Sequence, residues 1–443
     1  NPTAPGIEVL GSVDQIDLEL WAEVISDIQA RTPGGAMTAG MESLTGTAGV
    51  SVGRLLAFDE QFDNVNVTVQ KSVSNWTIGL LSESVSGELE IPLQSDQPWR
   101  MDLDHLHLDV SLSDDADLIA SAADPTLEEV LLDLQDLPTV EYELPREDPL
   151  AGLDPRTFPY IALKVDELTL AGADYGSWDF LVKSDAAGAL FSDLQVNLRG
   201  LNIGNEEEPA EFRWVYDGQQ HRSVLNGLVS AADLAPVLSA FGYAPSIESR
   251  AARFDARLHW DGSPAYFSAL GLNGDIDVQV NNGRFRQRAG VANSALRLIS
   301  FINFDALVRR LRFSDDLARA GLSYDEIRGS VNLSQGLVTI EDRLQIIGPA
   351  SLFQLAGVVN LAEETIDGDL YITLPVSDNI PWLGGLAVLN NLINWQLAVG
   401  VFIFDRIFGE QVDNLTSAHY ILEGPWEGLE PRLYQVFADA GGN

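Results

Sequence analysis

The 443-residue sequence predicts a mainly β protein built on antiparallel sheet with one wet face, and two observations carry that prediction. Short segments alternate apolar and polar residues with a period of two, the period at which successive strand side chains change face. Gly-containing turn pairs punctuate the chain at Asp217-Gly218, Asp261-Gly262, Asn282-Gly283, Gln335-Gly336 and Asp367-Gly368.

The alternation is clearest in 275–281, where Ile276, Val278 and Val280 share one side. It recurs at Leu89 and Ile91, at Leu106, Leu108 and Val110, and at Ile161, Leu163 and Val165. Two further sets are Leu194, Val196 and Leu198, and Leu370, Ile372 and Leu374. Helices are expected in few places. Ser230 to Asp233 reads as a capping box that opens a helix over 231–241. Ile16 to Ala30 carries Leu20, Val24 and Ile28 at helical spacing, and Asn293 to Leu311 carries Leu296, Ile299, Phe304, Leu307, Val308 and Leu311 in the same way.

Four sections follow. Residues 1–113 form a β unit with an N-terminal helix. Residues 114–157 form an acidic, Pro-containing connector with a short helix near Leu127 to Leu134. A second β unit spans 158–252, and 253–443 is a C-terminal section with amphipathic helices near 293–319 and 381–409. Asp114 to Asp154 holds thirteen acidic residues against Arg146, which is the composition of a solvated connector. The two β units share a loose plan of helix plus strand meander, as divergent repeats do.

With no Cys, disulfides, thiolate metal sites and cysteine nucleophiles are excluded. A formal charge of −40 argues against nucleic acid as a partner and acts as a solubility device. The opening residues lack a basic start and an apolar run, so the chain reads as a mature form or part of a longer one. Gly49 to Gly53 matches the G-x-S-x-G elbow around Ser51, but the stretch before it is Gly, Thr, Ala and Ser, not a buried strand. His105, His107 and Asp109 stand on one strand face, where a polar face is favoured over a ligand set. No catalytic residue, metal site or cofactor is assigned, and an enzyme is not expected.

Basic residues gather between Gly283 and Arg319, where eight of the 26 lie, among them Arg309, Arg310 and Arg312. Arginines on an amphipathic helix suit lipid phosphates, or equally pair with neighbouring carboxylates. The uncharged run from Ile380 to Phe404 is interrupted by Pro381, Gly384, Gly385 and several Asn, so it suits two short helices better than one membrane span. Its Trp382, Leu386, Leu389, Trp395, Phe402 and Phe404 suit a lipid interface, with a buried helical hairpin as the alternative.

The C-terminal half carries a series of motifs in order. They are Phe254 to Pro264 with its W-x-G-S-P ending, Leu272 to Gly283, Leu298 to Leu307, Ser323 to Gly329, Ile347 to Ala350, Leu374 to Pro381 and Tyr420 to Trp426. Leu234 to Tyr243 is a looser anchor upstream. In these the chain resembles AsmA-like proteins of the YhdP type. The resemblance implies a long twisted β groove with an apolar interior, in which the apolar strand positions above face lipid. It also implies the periplasm, an inner-membrane anchor upstream of this chain, and a C-terminal end directed toward the outer membrane. Phospholipid and one or both membranes are the implied partners, with an envelope protein at the C-terminal helices as a further candidate. The alternative is a structural or assembly protein whose sheet is filled by its own side chains.

Overall fold

A computed structural model describes residues 7–17, 46–57, 60–72, 74–94, 96–108, 148, 150–170, 172–241, 245–285, 323–349, 351–375, 415–425, 429 and 431–438. The fold is mainly β. It divides between His221 and Arg222 into two compact units.

In the first unit the strands are β1 (Ile7–Asp17), β2 (Gly46–Ala57), β3 (Glu60–Lys71), β4 (Asn75–Leu81), β5 (Val85–Pro92) and β6 (Trp99–Leu108). They continue as β7 (Ile161–Val165), β8 (Leu168–Leu170), β9 (Ala173–Asp174), β10 (Ser177–Asp185), β11 (Gly188–Leu198), β12 (Leu201–Ile203) and β13 (Ala210–Tyr216). β2 to β6 is an antiparallel meander, and so is the run from β7 through β10 and β11 to β13. The sheet is nevertheless mixed, which corrects the purely antiparallel expectation. β1 pairs parallel with β2, and β6 pairs parallel with β7 and β8. Both parallel joints fall where the chain between partners is long, residues 18–45 and 109–160, as a parallel return requires.

The second unit holds β14 (His221–Ala231) from Arg222 onward, a helix α1 (Leu234–Ala240), β15 (Ile247–Glu248), β16 (Ala251–Asp261), β17 (Asn273–Phe285), β18 (Ser323–Ser334) and β19 (Leu337–Gly348). It ends with β20 (Ser351–Asn360), β21 (Thr365–Pro375), β22 (Leu415–Pro425) and β23 (Arg432–Ala438). β14 pairs with β16, and from β16 each strand pairs antiparallel with the next through β23.

The expected turns at Asp217-Gly218, Asp261-Gly262 and Gln335-Gly336 are present between strands. Two others are not turns. Asn282-Gly283 lies inside β17, with Asn282 at φ 52° and Gly283 so close to the Tyr324 ring that a Cβ would meet its hydroxyl. The pair serves as a bulge and a close approach instead of a reversal. Asp367-Gly368 lies inside β21 for a related reason: Gly368 faces Gly357 of β20. The reversal before β21 comes earlier, at 361–364.

Among the described residues α1 is the one α-helix. Its N-cap is Asp233 and not Ser230, which is still strand. Asp233 accepts the backbone N–H of Ala235 at 3.1 Å and of Ser249 at 3.0 Å, so the carboxylate ties the helix start to the chain before β16. Of the expected N-terminal helix, Ile16 and Asp17 belong instead to β1, and the remainder lies outside the described residues. The helices near 127–134, 293–319 and 381–409 lie outside them as well.

Candidate functional site: the apolar face of the sheets

Strand register collects the alternating residues into rows that run across neighbouring strands. In the first unit one row reads Val50, Val67, Leu80, Gly87, Leu103, Val165, Trp178, Val196 and Ile203, each directly opposite the next. A second reads Val69, Ile78, Leu89, Met101, Leu163 and Phe180. A third joins Trp99, Ile161, Val182, Phe191 and Phe212. All three lie on one face: positions within a strand differ by an even number, except in β11, where a bulge between Ser192 and Gln195 offsets the odd step from Phe191 to Val196. No charged side chain enters them.

The other face is its opposite in chemistry. Thr68, Gly79, Glu88, Asp102, Lys164, Asp179 and Gln195 form the row between the first two. Lys164 sits 3.2 Å from Asp166 and 3.7 Å from Asp102, and these carboxylates, Asp166 first, raise the ammonium's pKa.

Depth separates the apolar rows. Val165 and Val196 are buried, at 2% and 3% exposure, within clusters of neighbouring rows. Leu163, Phe180, Ile161 and Leu198 are half-buried, and Trp99 is 38% exposed. Every described element of this unit other than the turn at 155–157 is a strand. Among the described residues the half-buried rows therefore have no helix layer over them. The aromatic members Phe180, Phe191 and Phe212 stack edge to face at 5.3 and 5.7 Å, which gives the face a rigid aromatic section.

The second unit repeats the plan. Val229, Phe254, Val278 and Gly329 form one row, continued by Leu344, Leu355, Leu370, Tyr420 and Leu433. Ala231, Ala252, Val280, Ile327, Ile346, Phe353, Ile372 and Ala418 form the next. This row is fully buried, with Val280 at 3% and Ile372 at 1% exposure, whereas Ile276 and Val278 are half-buried. Asp255, Asp277 and Ser330 lie opposite one another on the outer face. The Ser330 hydroxyl, and Arg257 after it, hold the Asp277 carboxyl below the usual range.

The predicted positions Ile161, Leu163, Val165, Leu194, Val196 and Leu198 thus share the apolar face of the first unit. Ile276, Val278, Val280, Leu370 and Ile372 share that of the second, and the side chain of Leu374 lies outside the described residues. Arg309, Arg310, Arg312, Trp382, Leu386, Leu389, Trp395, Phe402 and Phe404 also lie outside them. Sequence reasoning missed Trp178, Phe180, Phe191 and Phe212; a bulge in β11 puts Phe191 out of step with Leu194, Val196 and Leu198, whereas Trp178 and Phe180 of β10 and Phe212 of β13 alternate with polar residues and were within reach of the period-two signal.

Other candidates resolve locally. Ser51 sits mid-strand in β2, exposed, its hydroxyl 2.8 Å from Asn66 Oδ1, so no strand-to-helix elbow exists there. His105 Nε2 is 3.3 Å from the Ser82 carbonyl and His107 is 3.9 Å from Glu167, while Asp109 lies outside the described residues. Among the described residues no group of three His, Asp or Glu side chains is placed to hold a metal ion, and no helix is long and apolar enough to cross a membrane. The W-x-G-S-P motif is a built corner: Trp260 Nε1 donates to the Ser263 carbonyl at 2.9 Å and Ser223 Oγ donates to the Gly262 carbonyl at 3.0 Å.

A family model described as YhdP protein matches residues 1–428, nearly the whole chain. The chain belongs to the YhdP family. The match includes the region before Phe254, where the sequence motifs are sparse, so both units carry the family's pattern and not the C-terminal one alone. No curated protein and no solved structure matches the chain.

Proposed function

We propose that this YhdP-family chain carries phospholipid along its apolar sheet face as part of a periplasmic conduit between inner and outer membranes, and performs no chemistry on it. The observation that carries this reading is the half-buried row Val69, Ile78, Leu89, Met101, Leu163 and Phe180, apolar across six strands and backed by a charged row. A one-faced sheet needs a partner layer. Acyl chains meet that need through non-directional contacts worth about 0.8 kcal/mol per buried CH₂, which hold a chain without fixing its position.

The topology supports headgroup or membrane contact at one rim. β14, β17 and β21 end on the same side of the second sheet, so α1 and the connections 286–322 and 376–414 all depart there. Those two connections carry the arginine-rich and aromatic stretches of the sequence.

A second reading, an envelope assembly protein with a self-filled sheet and a partner docked at the C-terminal connections, is favoured by the fully buried row from Ala252 to Ala418. Two measurements separate the readings. Lipid extracted from the protein purified from cells is identified by mass spectrometry, and photo-crosslinkers are placed at inward Leu163 and Val278 and outward Lys164 and Gln279. Phospholipid crosslinked from the inward pair alone is expected. Protein free of phospholipid, with no inward crosslink, rejects the conduit.

A further inference from the structure

One end of the first unit's apolar face is covered by the chain that leads into β7. Residues Ala151–Tyr160 cross the ends of β10, β11 and β13, with Asp154 capping a single 3-10 turn at Pro155–Thr157. Pro155 is buried and its carbonyl accepts the Ser184 hydroxyl at 2.8 Å. Phe158 packs edge-on against Trp214 with centroids 5.6 Å apart. Trp214 has the same strand parity as Phe212, so this strap lies over the apolar face and closes it at that end.

The strap is held by an imidazole whose neutral tautomer is fixed by its two partners. Trp214 Nε1, which can only donate, is 3.0 Å from His221 Nδ1, so Nδ1 must be the unprotonated nitrogen. Nε2 then carries the hydrogen and donates to the Ala151 carbonyl at 3.0 Å. His221 is 8% exposed and stacks flat on Tyr216, centroids 4.3 Å apart. Arg156 lies 4.9 Å over the same Tyr216 ring and is clamped to Asp154 by bonds of 2.8 and 2.6 Å. The charged and titratable groups around the imidazole are therefore Asp154 and Arg156 of the strap, Tyr216 of β13, and Asp217 in the following turn. Asp154 favours a cation here, but its two oxygens are already engaged by Arg156.

We propose that the His221–Trp214 pair is an acid-released latch on the strap. Protonation places an N–H on Nδ1 directly against the Trp214 N–H, replacing an attraction by a donor–donor conflict in a largely buried site. An unperturbed histidine changes charge between about pH 5 and 8, which sets the range over which the latch is tested. The strap then loosens, and Trp214 and Phe158 join the open apolar face. The latch stands on its own geometry, whatever the face carries.

Hydrogen exchange on the whole chain at about pH 7.5 and about pH 5, corrected for intrinsic rates, reads the latch. Peptides covering Ala151–Tyr160 are expected to exchange about tenfold faster in acid while those from β16 to β21 hold their protection. In His221→Gln the side-chain oxygen accepts from Trp214 and the amide donates to Ala151 without a titratable group, and the pH difference disappears. Trp214→Phe removes the opposing donor and shrinks the difference even if the Gln variant folds poorly. Equal protection of the strap at both pH values, or an undiminished acid response in the variants, overturns the proposal.

Discussion

Gly357 and Gly368 face each other across β20 and β21 so closely that a Cβ on Gly357 would lie 2.4 Å from the Gly368 Cα. Gly357 also has φ 137°, a conformation that L side chains rarely adopt. Gly357→Ala is expected to cost about 2–4 kcal/mol in chemical denaturation, from strain plus overpacking. Gly11, with nothing within 4 Å of its Cβ position, supplies the control, and Gly11→Ala is expected to stay within about 0.5 kcal/mol of the parent.

Tyr324 predicts an alkaline limit. Its ring is 2% exposed, its hydroxyl donates to the Glu248 carbonyl at 2.6 Å, and burial, with the nearby charges of Asp233 and Glu248, pushes the phenol far above the ordinary range. Tyr420 shifts the same way through burial. A raised folded-state pKa contributes stability that is complete below the unfolded value and is lost as pH climbs past it. Stability is therefore expected to fall above about pH 10, more gently in Tyr324→Phe. The Phe variant itself loses about 1 kcal/mol at neutral pH. Denaturation midpoints measured from neutral to alkaline pH check both.

Ser51→Ala tests the elbow reading. The hydroxyl is exposed and bound to Asn66 alone in the middle of a strand. Hydrolysis of a simple ester by the purified protein is expected to be indistinguishable before and after the substitution. Stability is expected to move by no more than about 0.5 kcal/mol.

The sheet was legible in the sequence because alternation is a property of the backbone: Ile276, Val278 and Val280 share a face whatever they pack against. Local dipeptides were less reliable, since the Gly of Asn282-Gly283 and of Asp367-Gly368 answers a close approach made by a paired strand, which the dipeptide does not encode. The pairings that build rows are non-local too, and so is the strap. His221 meets Ala151 across seventy residues, and only Asp154-Pro155, a cap followed by a helix-starting Pro, marked that the end of the acidic stretch had structure.

Leu163 and Val165 sit two residues apart on β7, on the same face, and they separate folding from lipid contact. Val165 is buried against Leu103 and Trp178, so Val165→Ala is expected to cost about 2–3 kcal/mol. Leu163 is half-buried between Met101 and Phe180, and Leu163→Ala is expected to cost about 1 kcal/mol, because part of its surface meets no protein atoms. A charge placed there discriminates further. If acyl chains lie on this row, Leu163→Asp lowers the phospholipid retained on purification, since a carboxylate cannot be left unpaired against hydrocarbon, while the outward change Lys164→Ala does not. A self-filled sheet gives the other pattern: Leu163→Asp then unfolds the first unit and retained lipid is absent in parent and variant alike. Denaturation curves and lipid mass spectrometry on the same three preparations decide between them.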